Sequence, residues 1–196
     1  LDYTPSEAMK RAFDLSFAGV ACLLLSPLML LLGIAIRLDS RGKAIYRQTR
    51  IGQYGLPFQL LKLRTMRSGE IGPGITMGAS DTRITRIGQF LRRTKLDELP
   101  QLWHVVRGQM SLVGPRPEIP EYVALYTEEQ LQVLDVKPGL TDPASIDAFD
   151  EGAQLEAQED PETYYREVIL PEKLAKQLAY AQSASLLSDG RVIIRT

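Results

Sequence analysis

From Ala12 to Ile36 the chain reads AFDLSFAGVACLLLSPLMLLLGIAI, with Asp14 its one charged residue. As an α-helix rising 1.5 Å per residue, this stretch is about 37 Å long, enough to reach across the hydrocarbon core of a bilayer. So long an apolar run is rare inside a soluble core, and lipid is the medium that suits it. It exceeds the apolar core of a cleaved signal and no A-x-A-like site sets it apart, so it is expected to be kept. Near its middle, Ser26-Pro27 removes a backbone donor and crowds the preceding turn, which predicts a kink or break. Lys10 and Arg11 precede the run, and Arg37, Arg41, Lys43 and Arg47 follow it. Both flanks therefore prefer the cytoplasmic side. A re-entrant membrane helix over residues 12–36, turning at Ser26 and Pro27, reconciles the two flanks; a straight span is the alternative.

At 196 residues the whole chain suits a single domain, 1–196, large enough to bury a core. The formal net charge of -1 hides an uneven distribution. Between Arg37 and Arg67 eight Lys or Arg face only Asp39, whereas between Glu118 and Glu172 fifteen Asp or Glu face Lys137 and Arg166. The basic half suits phosphates or anionic headgroups. One cysteine, Cys22, rules out an internal disulfide, and one histidine, His104, is too few for a His-based triad or a multi-His metal site. His104 is expected to pack or hydrogen-bond. Nucleic acid is not an expected partner, because aromatic residues do not interleave with the basic ones.

Beyond the apolar run the pattern predicts an α/β fold, mostly α. AIYRQTRIG and LPFQLLKLRTM alternate as a short β-hairpin turning near Gly52 to Gly55. Ser68 to Ser80, with four glycines and Pro73, reads as a loop. Asp81 to Arg93 reads as a basic amphipathic helix, suited to a membrane surface, a phosphate or solvent, and Leu99 to Val106 as a second helix whose Trp103 suits headgroup level or core packing. Gly114-Pro115-Arg116-Pro117 is a rigid turn, since each proline locks its own φ and restricts its predecessor. Glu118 to Val136 is predicted helical, Lys137-Pro138-Gly139 breaks it, and Pro161 to Ser185 is helical with an interruption at Pro171. The final VIIRT reads as a strand or a fraying end.

The chemistry concentrates in KLDELPQLW. Asp97 and Glu98 sit together with Pro100 just beyond, which suits the first turn of a helix. A helix N-terminus stabilises a carboxylate and attracts phosphate. Arg92, Arg93 and Lys95 are expected to lower the Asp97 pKa and keep it ionised as a nucleophile. Neighbouring residues on a helix diverge by about 100°, which argues against a glycosidase pair facing across a sugar. The two acids then do different jobs, one attacking phosphorus and one holding a magnesium ion. A helix N-cap with an exposed neighbour is the plain structural alternative.

Lys10, Arg11 and Asp14 opening an apolar helix with central Ser26-Pro27, followed by YRQTRIG, KLRTM, RITRIGQFLRRTKLDELPQLW, RGQMSLVGPRP and KPGLT, resembles the monotopic phosphoglycosyltransferases, the bacterial sugar transferase family. The resemblance spans about Met9 to Thr141. It implies a compact monotopic membrane domain with a re-entrant helix and interfacial amphipathic helices at the cytoplasmic face of the bacterial inner membrane. It also implies a ping-pong transfer of sugar phosphate from a UDP-sugar to polyprenol (undecaprenyl) phosphate, releasing UMP, in the first membrane step of glycoconjugate assembly. Carried over residue by residue, Asp97 is the nucleophile and Glu98 the Mg2+-associated partner. Lys62, Arg83 and Arg116 are the substrate-binding residues, for phosphate or nucleotide. Lys10, Arg11 and Asp14 are expected to be structural or lipid-facing. After Thr141 the chain departs from the family pattern, with Asp142 in place of a glycine, so nucleotide or sugar selection is expected to differ. Two rival readings are a membrane-anchored lipid-binding scaffold and a lipid-diphosphate phosphohydrolase, and a homodimer is left open.

Overall fold

In the computed structural model, which describes residues 5–67, 81–142, 144 and 151–195, the apolar run lies within one helix, α1, Pro5–Asp39. Only Asp14, Ala18 and Ile36 are buried along its length. Leu23, Leu24, Leu30 and Leu31 are all more than 60 % exposed. An apolar surface of that extent does not suit water, and the helix is long and apolar enough to cross a membrane. Of the kink or break expected at Pro27, the break does not appear: the helix continues through the proline. Pro27 cannot donate to the carbonyl of Leu23, four residues back. The Ser26 hydroxyl donates to that carbonyl instead, at 2.8 Å.

Both ends of α1 are tied to the same folded body. At the N-terminal end, Arg11 donates to the carbonyls of Val105 and Val106 at 2.6 and 2.7 Å, and Asp14 accepts the Leu112 N–H at 3.1 Å. Lys10 reaches the Val113 carbonyl at 3.2 Å and pairs with Asp189. At the other end Ile36 packs with Leu63 and Leu91. There Arg64 donates to the carbonyls of Ser40, at 2.8 Å, and of Arg41. Lys10, Arg11 and Asp14 thus take the structural role, spent on the protein itself.

The hairpin pairs β1, Ile45–Ile51, with β2, Pro57–Leu63, antiparallel, Ile45 opposite Leu63 and Ile51 opposite Pro57. Its turn uses Tyr54 and Gly55, both at positive φ. Side chains alternate across a strand, so Lys62 shares a face with Phe58 and Leu60. Those two enter the main core with Leu102, Val105, Met110 and Leu112. Full burial of such side chains stabilises by about 1.5–3 kcal/mol each.

Helix α2, Arg86–Arg93, starts later than the basic pattern predicts, because Thr85 caps it by accepting the Gly88 N–H at 2.9 Å, and Asp81 instead folds back onto Arg83. A 3-10 turn, Leu96–Gln101, leads into α3, Leu102–Val106. Strand β3, Ser111–Val113, runs parallel to β4, Gly139–Thr141. Predicted as one helix, residues 118–136 form α4, Pro120–Val123, then α5, Glu128–Leu131, and a 3-10 turn. The Thr127–Gln130 capping box restarts the chain at α5 and so divides it. Helices α6, Glu151–Glu156, and α7, Pro161–Tyr164, follow. A π turn, Tyr165–Ile169, accommodates Pro171 before α8, Leu170–Ser183. Neither strand nor fraying end, the C-terminal segment is helix α9, Leu186–Arg195, held through Asp189. The predicted loop Ser68 to Ser80 lies outside the described residues.

Candidate functional site

Lys95 stands in the left-handed region, φ 57°, directly after α2. That conformation costs a residue with a Cβ roughly 1–2 kcal/mol. It turns the chain so that Leu96–Gln101 packs along β2. Asp97 and Glu98 thereby fall in the first turn of the 3-10 segment, with Asp97 buried.

The adjacent acids live in different surroundings. Glu98 Oε1 accepts from Lys62 Nζ at 3.0 Å and from Arg116 Nη2, and its Oε2 from Arg116 Nη1 at 3.3 Å. Burial alone would raise the Glu98 pKa, but the charges and hydrogen bonds of Arg116 and Lys62 outweigh it and hold the carboxyl well below the usual range. For Asp97 the balance goes the other way. Burial pushes its pKa up and Glu98 adds to the rise, while Lys62, Arg92 and Lys95 pull it down without prevailing. The expectation that flanking cations lower the Asp97 pKa is therefore corrected. Desolvation penalises the charged form more than the cations stabilise it. The buried Asp97 carboxylate is thus the more basic of the two.

Two clamps fix the turn that carries Arg116. On its N-terminal side the backbones of Gly114 and Gly139 touch: a Cβ on Gly139 would lie 2.1 Å from the Gly114 nitrogen, so no side chain fits there. Gly139 also donates to the Pro115 carbonyl at 2.9 Å. On the C-terminal side Arg50 donates to the Pro117 carbonyl at 3.0 Å and to Glu118 at 3.2 Å. Opposite, Lys62 is aimed from β2, whose register is pinned where His104 Nε2 accepts the Leu61 N–H at 3.1 Å. The His104 Nδ1 meets Gln109 Oε1 at 3.0 Å, so the ring is neutral with its proton on Nδ1. Burial lowers its pKa and favours that state.

Of the sequence-derived candidates, Asp97, Glu98, Lys62 and Arg116 come together. Arg83 is held by Asp81 at 2.6 and 2.8 Å, and acts electrostatically on Arg92, which in turn acts on Asp97. Ser26 and Pro27 lie on α1, apart from this group. Arg50, Glu118 and Lys173 were not singled out from the sequence. An arginine in a strand and a lysine in a helix give no local sign that they converge on one buried carboxylate.

Among the described residues no three His, Cys, Asp or Glu side chains group as a metal site. Mg2+ is ordinarily held by one or two carboxylates together with substrate phosphates and water. A carboxylate oxygen has two lone pairs, and Glu98 Oε2 carries one long contact, so Glu98 fits as a protein ligand to a phosphate-bound Mg2+.

The bacterial sugar transferase family matches residues 5–196. A UDP-glucose:undecaprenyl-phosphate glucose-1-phosphate transferase of Caulobacter vibrioides is 39% identical over 199 residues, covering 95% of this chain and 67% of that protein. A putative undecaprenyl-phosphate N-acetylgalactosaminyl 1-phosphate transferase of Bacillus subtilis is 43% identical over 123 residues, covering 62% of this chain and 69% of that one. In Escherichia coli, a UDP-glucose:undecaprenyl-phosphate glucose-1-phosphate transferase is 40% identical over 149 residues, covering 72% of this chain but 31% of its own length. The chain thus spans about two thirds of the first two relatives and about a third of the last. With the family match extending from the membrane helix to the C-terminus, the chain belongs to the bacterial sugar transferase family of enzymes.

Proposed function

We propose that this protein transfers a sugar 1-phosphate from a UDP-sugar to undecaprenyl phosphate at the cytoplasmic face of the bacterial inner membrane, through a covalent aspartyl intermediate. The names of its relatives support the substrates. The observation that supports the mechanism is the contrast within one dyad: Glu98 neutralised by Lys62 and Arg116, Asp97 buried beside it and, among the described residues, without a hydrogen-bonding cation of its own.

An Asp97 carboxylate oxygen attacks the β-phosphorus of the donor. The bond from that phosphorus to the oxygen bridging to the α-phosphate breaks, and UMP leaves with the electron pair. A phosphate oxygen of the polyprenol carrier then attacks the same phosphorus and expels Asp97, regenerating the carboxylate. Lys62 faces the negative charge that builds on the phosphoryl oxygens in both steps, and Arg116 faces the donor's diphosphate in the first. Glu98 would hold a Mg2+ ion there, and the ion when bound would supply further charge neutralisation.

The test uses the full chain in lipid nanodiscs with UDP-sugars and undecaprenyl phosphate. The expected result is UMP release, a labelled lipid product and, with donor alone, a phosphosugar adduct on Asp97 by mass spectrometry. Asp97→Asn is expected to lower transfer by about 10⁴-fold or more. Retained turnover in that variant would exclude the covalent route. Free sugar phosphate with no labelled lipid would mark a phosphohydrolase, and silence across all UDP-sugars with lipid binding intact would mark a scaffold.

A further inference from the structure

Helix α8 carries polar side chains where a core helix ordinarily carries apolar ones. Lys173, Gln177 and Tyr180 recur at i, i+4 and i+7, so they share one face, and all three are buried. A buried polar stripe is costly unless each member finds a partner. Each does, and the three partners lie on the segments that surround the Arg116 turn. Lys173 Nζ donates to Glu118 Oε1 at 3.2 Å, just after the turn. Gln177 Nε2 donates to Asp142 Oδ2 at 2.7 Å, just after β4. The Tyr180 hydroxyl lies 3.2 Å from the Val113 carbonyl, just before the turn, and 2.6 Å from Asp189 Oδ1.

Glu118 is the centre of this arrangement. Besides Lys173 and Arg50 it accepts the Tyr165 hydroxyl at 2.7 Å, and Lys173 also reaches that hydroxyl at 3.1 Å. Glu118 and Asp142 both act electrostatically on Arg116, whose own fork is on Glu98. A stripe of leucines at 173, 177 and 180 would pack a core equally well. It would not hold the Val113 carbonyl on one arm of the turn and the Glu118 carboxylate on the other.

We propose that Lys173, Tyr165 and Tyr180 are positioning residues for Arg116, with Gln177 bracing the end of β4 beside them: the C-terminal helices clasp both arms of the Gly114 to Pro117 turn, at Glu118 and at Val113, and set where its guanidinium meets the donor's diphosphate. The donor part of this statement rests on the function proposed above. The clasp itself does not.

The experiment compares Lys173→Met and Tyr165→Phe with the parent enzyme in nanodiscs, reading two quantities. The first is amide hydrogen exchange in the peptide covering residues 111–119, which needs no activity. Faster exchange there, with residues 57–63 and 96–101 unchanged, is expected for both variants. The second is kinetic: the KM for the UDP-sugar is expected to rise about tenfold in Lys173→Met, as for loss of one charge-assisted hydrogen bond, and by a smaller factor in Tyr165→Phe. The KM for undecaprenyl phosphate is expected to stay unchanged. Parent-like exchange at 111–119 in both variants overturns the proposal, and so does a parallel rise in both KM values. Should Lys173→Met fail to fold, Tyr165→Phe is judged by the same criteria. A parent enzyme that turns over no UDP-sugar defeats the functional reading instead, while the exchange measurement still decides the clasp.

Discussion

Asp97, the proposed nucleophile, carries a stability cost that follows from its burial. Its pKa is raised in the fold chiefly by burial, so the ionised form is less comfortable there than in the unfolded chain. The sign follows: for an acid with a raised folded pKa, the charged form destabilises the fold at neutral pH, and the penalty is relieved as pH falls through that pKa. Asp97→Asn is therefore expected to raise the unfolding midpoint, by stability on the order of 1 kcal/mol, while abolishing transfer. Differential scanning fluorimetry in detergent checks this, and a lowered midpoint would contradict the assignment of the penalty to burial. Activity is expected to fall off on the acid side at a pH above the ordinary aspartate range, read from kcat/KM against pH. Glu98 has the opposite sign. Its depressed folded pKa contributes stability that is present above the unfolded value, near 4.5, and lost as pH falls toward the folded one. The DE pair was legible in the sequence as a pair. Which member is neutralised by cations was not, because Lys62 and Arg116 arrive from 36 and 18 positions away.

At the scale of an element, α1 shows why a proline in a membrane helix need not break it. The Leu23 carbonyl, orphaned by Pro27, is taken up by the Ser26 hydroxyl. In hydrocarbon no water replaces a lost partner, so the substitution of one donor for another matters more than in a soluble helix. Ser26→Ala is expected to destabilise the helix by about 1 kcal/mol in the native background. In a Pro27→Ala background, where the backbone N–H at position 27 returns, the same change is expected to have little effect. A double-mutant cycle measured by denaturation in micelles gives the coupling directly, and additive effects would show that the hydroxyl does not serve the proline. The apolar length of α1 and its basic flanks were plain in the sequence. The continuity through Pro27 was not, since it depends on a side-chain rotamer rather than on residue type. The divided region 118–136 and the C-terminal helix α9 differ from the pattern for another reason: caps and tertiary partners such as Thr127 and Asp189 override weak local preferences.

Across the whole molecule, the two ends of α1 are held by one body, Arg11 and Asp14 at one end and Arg64 at the other. A straight span would separate those ends by a bilayer. In a Cys22→Ser background, Ser6→Cys and Lys43→Cys are each expected to react with a membrane-impermeant maleimide from the same side, the cytoplasmic one, in inverted vesicles. Labelling of one position in each vesicle orientation would establish a straight span. The sequence by itself determined that the chain carries a lipid-seeking helix, a hairpin, a carboxylate pair and a proline-locked arginine, because hydropathy, alternation and proline geometry are local properties. Only the tertiary structure decided that Lys62 and Arg116 neutralise Glu98 rather than Asp97, and that α8 spends a polar stripe on the arms of the Arg116 turn. Those outcomes depend on distances between residues far apart in the chain, and on the desolvation that packing imposes, neither of which any stretch of sequence encodes alone.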